Sequence, residues 1–398
     1  MPDAPVSTLA LVHARLITPE IEIADGTVVI AGGRIVQASR QPPPDGVETS
    51  DLRGLIVAPG FIDLHVHGGG GFSLAGGDAA QVRGYARWAA TRGVTGFLIT
   101  LVPDTRQRLV EGIDAAVAAL DSEVEGARPL GLNLEGPFLN PRRSGALRPG
   151  LLRPPDVAEF REYASSAKDC LRLITLAPEL PGADALIAAA LDAGVVVALG
   201  HSDATYEEAE RAFALGVRHV THCFNAMRPF GHRDPGCVGA ALSSADVTCE
   251  LIADGVHVHP AAMEMLLRLK GVDKTVLVTD GIPLAGLPGG SFELEGVQID
   301  VKDGVARRKD GTLAGSTAPL DAMVRNVAAM AGVGACEAIR MATLNPASVI
   351  GLADRKGRVT PGYDADLVVL TPDLQVEMTF AGGELVYQRP ASRFRRST

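Results

Sequence analysis

Five hydrophobic, β-branched runs in the middle of the chain end in residues able to hold a metal ion. GFIDLHVH closes on His65 and His67, PLGLNLE on Glu135, VVVALGH on His201, VRHVTH on His222 and TVLVTD on Asp280. Imidazoles mixed with carboxylates suit a borderline divalent cation such as zinc, with a coordination position left open for chemistry. His65 and His67 are alternate residues of one strand and so face the same side. Each element also has a plain structural reading. A strand-end histidine is more often packed than ligating, Glu135 could cap the turn at Gly136-Pro137, and Asp280 could cap a helix. One shared site accounts for all five strand ends at once.

Such residues, far apart in sequence, meet only if the strands that carry them end on one face. The middle of the chain supplies that arrangement. Helical stretches rich in Ala, Leu and Glu are followed by Gly and a short β-branched run, as in ALDAG before VVVALGH and ERAFALG before VRHVTH. Thr205 and Glu208 have the spacing of a capping box that starts a helix between these runs. Repeated β-then-α units over roughly 290 residues predict a (β/α)8 TIM-like barrel, whose C-terminal strand ends open onto one active face. A doubly wound open sheet is the alternative, but no GxGxxG follows an early strand to support it.

Both chain ends read as β structure. TVVIAGGRIV turns at Gly32-Gly33 and TFAGGELVY at Gly382-Gly383, glycine pairs that a tight hairpin favours. Each set is too short to stand alone, so the two are expected to pair into one small β-sandwich domain. The expected division is 1–57 with 357–398 for that domain and 58–356 for the barrel. The remaining histidines carry less weight. His13 lies in the terminal β region, and His232 and His259 fall in loops or helix starts. His219 stands an odd number of residues from His222 and is expected on the opposite side of its strand.

The 398 residues are 46% hydrophobic, enough for one large domain and a small companion, and only 4% aromatic, so small aliphatic side chains must fill the core. A formal net charge of -10 disfavours nucleic acid or an anionic membrane as partner. Met1 to Leu11 lacks a basic region followed by a long apolar core, and Asp192 breaks the apolar stretch at Ala185 to Leu199. Five cysteines without metal-type pairing make a disulfide framework improbable. The expected location is cytoplasmic.

PGFIDLHVHG, LEGPFLN, GHSDAT, THCFNAM, HRDPG, IADGVHV, LVTDG and LAGST occur in that order from about Gly26 to Leu370. Together they resemble the N-acetylglucosamine-6-phosphate deacetylases of the amidohydrolase superfamily. LEGPFLN and THCFNAM are the specific motifs, because the HxH is shared across the superfamily. The resemblance implies Glu135, His201 and His222 as principal metal ligands, with His65 and His67 available for a second ion, so one or two metals per subunit. It implies zinc or another divalent cation (iron, cobalt, nickel or manganese). Asp280 would be the general base and then acid. Asn225, the Ala226 backbone, Arg233 and His257 would hold a sugar phosphate, and Leu313, Ala314 and Gly315 would line the sugar. The implied partners are a phosphorylated amino sugar and a second copy of the chain, in a homodimer or higher homo-oligomer.

The chain departs from this pattern where the family carries a histidine that reaches the substrate. Here the run is Gly145-Ala146-Leu147, so Ala146 and Leu147 stand at the substrate-contact positions and leucine donates no hydrogen bond. The expected reaction is hydrolysis of the acetamide of N-acetylglucosamine 6-phosphate. N-acetylgalactosamine 6-phosphate, or another N-acyl or cyclic amide, is the enzymatic alternative. A non-catalytic scaffold is the third reading, and it is expected to have lost ligands that this chain keeps.

Overall fold

A computed structural model describes residues 8–294 and 296–390. Eight strands run side by side in chain order, each parallel to the next: Phe61–Asp63, Val94–Leu101, Arg128–Glu135, Leu171–Leu176, Val196–Leu199, His219–Val220, Thr248–Leu251 and Thr275–Leu277. These are the first to eighth barrel strands below. The seam between first and eighth is drawn together just beyond their ends. The Asp280 N–H donates to the His65 carbonyl at 2.9 Å, and the His67 N–H to the Gly281 carbonyl at 2.8 Å. The result is a nearly closed TIM-like barrel, as the β-then-α repeat predicts.

The connecting helices form where the sequence carries their signals. Thr205 caps Tyr206–Ala214 in a true capping box: its hydroxyl accepts from the Glu208 N–H at 3.2 Å, and the Glu208 carboxylate accepts from the Thr205 N–H at 2.8 Å. Helix Ala183–Asp192 buries Leu186, Ile187 and Ala190, and Gly194 at φ +72° then reverses the chain into the fifth strand. Inside the barrel the strands approach closely at Gly200. A Cβ there would lie 2.6 Å from the Thr175 side chain and 2.8 Å from that of Thr221, so only glycine fits.

The two chain ends meet in a separate, mostly-sheet domain. Leu367–Leu370 pairs antiparallel with Ile56–Pro59, which joins the N-terminal and C-terminal strands into one eight-stranded sheet. Strand alternation divides its faces. Val57, Leu367, Val369, Met378 and Phe380 enter the domain's own core, while Ile56, Ala58, Val368 and Leu370 pack onto the barrel. Both Gly-Gly turns form as expected, with positive φ at Gly32, Gly33, Gly382 and Gly383. They also abut, because a Cβ on Gly33 would sit 3.0 Å from the Gly382 carbonyl oxygen.

One element has no counterpart in the sequence reading. After the eighth strand the chain builds a three-stranded antiparallel sheet, Gly290–Leu294, Val297–Lys302 and Val305–Arg308. Its inner residues Ile299, Val301 and Ala306 pack with Ile282 and Ala314 into a small core of their own, with Ala146 against it. This flap stands at the mouth of the barrel.

Candidate active site

The strand ends converge as the pattern requires. Glu135 is the last residue of the third strand, His201 and His222 lie two residues beyond the fifth and sixth, and Asp280 lies three beyond the eighth. His65 and His67 follow the first. Glu135 Oε1 is 2.9 Å from His201 Nε2, 3.1 Å from His222 Nε2 and 3.5 Å from His65 Nε2. Glu135 Oε2 is 3.3 Å from His67 Nε2, which also lies 3.1 Å from Asp280 Oδ1. His201, His222 and Asp280 all have positive φ, at +47°, +26° and +47°. Backbone of that kind is sparsely populated by non-glycine residues and gathers at functional sites. Here it tips the side chains off the strand direction and into the common space.

Hydrogen bonding tests whether these residues suit a cation. A carbonyl can only accept, so the 2.8 Å contact between His201 Nδ1 and the Arg143 carbonyl places a hydrogen on Nδ1. His201 then presents its Nε2 lone pair to Glu135 Oε1 and, at 3.1 Å, to His222 Nε2. His65 is fixed the same way, with Nδ1 3.1 Å from the Glu250 carboxylate and a buried Nε2 that has no hydrogen-bond partner. Electron-rich atoms turned toward one another this closely need positive charge between them. His65, Glu135 and His222, and also His65, His67 and Asp280, each offer ligand atoms within 4.8 Å of one another. The set fits a divalent metal.

Electrostatics agree. Burial favours a neutral Glu135, but the surrounding imidazoles outweigh it and hold the carboxyl well below its ordinary range. Burial likewise disfavours charge on His67, yet its bonds to Asp280 and Glu135 push it up to about 9. Asp280 is desolvated too, and His67 and His65 still draw it down from the ordinary carboxylate value. The cluster is built to attract positive charge and to keep both acids ionised.

Above the cluster opens a cavity of about 400 Å³. Its wall includes His67, Glu135, His201, His222 and Asp280, and also Ala146, Leu147, Asn225, Ala226, His257, Leu313, Ala314 and Gly315. His65 sits fully buried behind this surface. Arg233 does not join them: it is exposed on its loop and lies outside the lining of its own chain's cavity.

Several residues of the site had not been singled out from the sequence. Asp254 orients His257: its Oδ2 is 2.7 Å from His257 Nδ1 and accepts the Ser316 hydroxyl at 2.9 Å, while Oδ1 accepts two backbone N–H groups at 2.8 Å. Burial opposes a charged His257, but this carboxylate outweighs it and raises the imidazole above its ordinary value. The i, i+3 spacing of Asp254 and His257 was the available signal. The flap contributes Ile299 and Arg307, which no local pattern marks. His219 is a correction. Regular strand ends at Val220 and the positive φ at His222 breaks the alternation, so His219 also turns to the cluster, with Nε2 3.1 Å from Glu250.

Residues 56–386 match the Amidohydrolase family. An N-acetylglucosamine-6-phosphate deacetylase from Bacillus subtilis (strain 168) is 33% identical over 96% of this chain and 97% of its own length. An N-acetylgalactosamine-6-phosphate deacetylase from Escherichia coli O157:H7 is 37% identical over 93% of this chain and 97% of its own. The structure of an N-acetyl-D-glucosamine-6-phosphate deacetylase mutant from Mycobacterium smegmatis, in complex with N-acetyl-D-glucosamine-6-phosphate, superposes with a TM-score of 0.91. That match is 34% identical and covers 96% of this chain and 100% of the other. The chain belongs to the amidohydrolase family, in the branch that holds these deacetylases.

Proposed function

We propose that this chain hydrolyses the acetamide of N-acetylglucosamine 6-phosphate to acetate and glucosamine 6-phosphate. The observation that carries the reading is the placement of Asp280, 3.1 Å from His67 in the imidazole–carboxylate cluster, in a cavity also lined by Asn225, Ala226 and His257. Glu135, His201 and His222 would hold the principal divalent ion, zinc as first choice, and His65 with His67 would serve a second. Such an ion polarises an amide carbonyl and makes water acidic enough to attack near neutral pH. Asp280, ionised and facing the cavity, accepts the proton of the attacking water. It returns that proton to the departing nitrogen, since an unprotonated amine anion is a very poor leaving group. His257, held through Nδ1 by Asp254, offers its imidazole to the phosphate.

Leu147 decides where specificity is tested. Acetate release is compared for N-acetylglucosamine 6-phosphate, N-acetylgalactosamine 6-phosphate and unphosphorylated N-acetylglucosamine. The first is expected to be preferred, and loss of the phosphate contacts should lower kcat/KM by about 10- to 100-fold at 1.5–3 kcal/mol per charged hydrogen bond. Preference for the galacto sugar would keep the mechanism and move the specificity. Indifference to the phosphate would sink the substrate assignment.

Arg233 serves the phosphate of a neighbouring copy in this reading, within a homodimer. Its exposure outside its own cavity supports that role, as does the neighbouring Phe230, a large apolar side chain left 54% exposed. Mixing Arg233→Ala chains with Asp280→Asn chains tests it. Each parent is expected to be impaired, and the mixed dimer should regain one working site. A mixture no more active than its parents would place Arg233 in the service of its own chain or of none. The five cysteines are free, consistent with work in the reducing cytoplasm.

A further inference from the structure

We infer that Glu250, backed by His219 and Thr248, is a positioning residue that sets how tightly the cluster holds its cation. The inference rests on the metal-dependent reading above.

Glu250 lies on the seventh strand, is fully buried and lines no part of the cavity. A carboxylate is costly to bury unless every lone pair is used, and this one gathers three N–H donors. Its Oε2 accepts from His65 Nδ1 at 3.1 Å and from the His222 backbone N–H at 2.9 Å. Its Oε1 accepts from His219 Nε2 at 3.1 Å. The Glu250 backbone carbonyl adds a fourth tie, accepting the Cys223 N–H at 3.0 Å. Behind it, His219 Nδ1 lies 2.7 Å from the Thr248 hydroxyl, which fixes the ring that faces Glu250.

Two ligands depend on this arrangement for different reasons. A hydrogen on His65 Nδ1 leaves Nε2 as a bare lone pair aimed at the cluster, where it has no other partner. Without an acceptor at Glu250 the ring is free to take the other tautomer, which presents a hydrogen where a cation must bind. His222 is held through its backbone. Its φ of +26° is strained for a residue with a side chain, and the strain persists only because the neighbouring N–H groups are pinned. Glu250 pins both His222 and Cys223. It thus connects a ligand just beyond the first strand to one just beyond the sixth.

Zinc affinity of the full-length chain, stripped of metal and titrated against a chelating dye, tests the inference alongside melting of the metal-free protein. Glu250→Gln keeps the shape but turns an NH2 group toward at least one donor. It is expected to weaken zinc binding by about 10- to 100-fold, and to lower the melting temperature of the metal-free protein as well because a buried N–H loses its acceptor, so zinc affinity is the deciding readout. Thr248→Val, a milder change farther from the ion, should weaken it severalfold. It also serves if Glu250→Gln fails to fold. A folded variant that melts lower yet binds zinc within about twofold of wild type would make Glu250 a mere core ion pair and overturn the inference. Wild-type protein that takes up neither zinc nor iron, cobalt, nickel or manganese would overturn the metal reading itself, so the two failures are separable.

Discussion

Asp280→Asn is expected to lower kcat by about 10³-fold or more while leaving the metal content of the protein unchanged. A positioned proton donor and acceptor contributes about 10²- to 10⁴-fold to reactions of this kind, and Asp280 is asked to act in both directions. The side chain reaches the cavity surface, with Oδ1 3.1 Å from His67 Nε2 and 3.7 Å from His65 Nε2. Asparagine matches its size and tolerates the positive φ of +47° better than most residues, so the strand end should hold its course. What the amide cannot do is take a proton from water and hand it to the leaving nitrogen. Glu135, His201 and His222 are untouched by the change. The check is steady-state turnover together with metal content by emission spectroscopy. Turnover near wild type with metal bound would remove Asp280 from the mechanism, whereas loss of metal along with turnover would make it chiefly a ligand.

Glu135→Gln should behave differently, losing metal and turnover together. Among the described residues this carboxylate is the one acid within 2.9–3.5 Å of all four imidazoles, those of His201, His222, His67 and His65. Glutamine occupies the same volume but removes the charge and turns two hydrogens toward lone pairs that the neighbouring contacts have aimed inward. Breaking one partner out of a buried charge cluster costs about 3–5 kcal/mol, and a loss of that size in metal binding is on the order of 10²- to 10⁴-fold. Because a bound ion stabilises the folded state in proportion to its affinity and concentration, the melting temperature offers an independent reading. Chelation should lower the melting temperature of the wild-type chain and leave that of Glu135→Gln nearly unmoved. A variant that keeps its metal through dialysis against a chelator would transfer the principal ligand role to the histidines alone.

The pair also separates chemistry from binding. Asp280→Asn should yield a loaded protein that does not turn over, and Glu135→Gln an empty one. If both variants give the same phenotype, the division of labour between the two acids is wrong even though the site stands.

Sequence alone determined those features of this chain that are local or periodic. A β-branched run ending in His, Glu or Asp specifies a strand and what stands at its end, because side-chain alternation and strand length are properties of a few consecutive residues. The capping box at Thr205 and Glu208 and the hairpins at Gly32-Gly33 and Gly382-Gly383 are of the same kind, and all three form as their residues require. Repetition of such units then implied a barrel, and a barrel implied that His65, His67, Glu135, His201, His222 and Asp280 share one end.

Only the tertiary structure decided which side chains stand behind or opposite that ring. Glu250 and His219 lie on adjacent strands and meet through register, a quantity no single run of residues encodes. Alternation misplaced His219 because a two-residue strand followed by a positive φ has no alternation left to follow. The flap that carries Arg307 to the cavity follows the last barrel strand as an insertion whose three-stranded sheet is separate from the barrel's, so the barrel's repeat gives no sign of it. Arg233 shows the converse: its motif is legible, but whether a loop arginine enters its own cavity depends on how the loop folds, and here it stays exposed and outside the cavity lining. Local chemistry named the candidate ligands, and packing across strands chose what stands behind them.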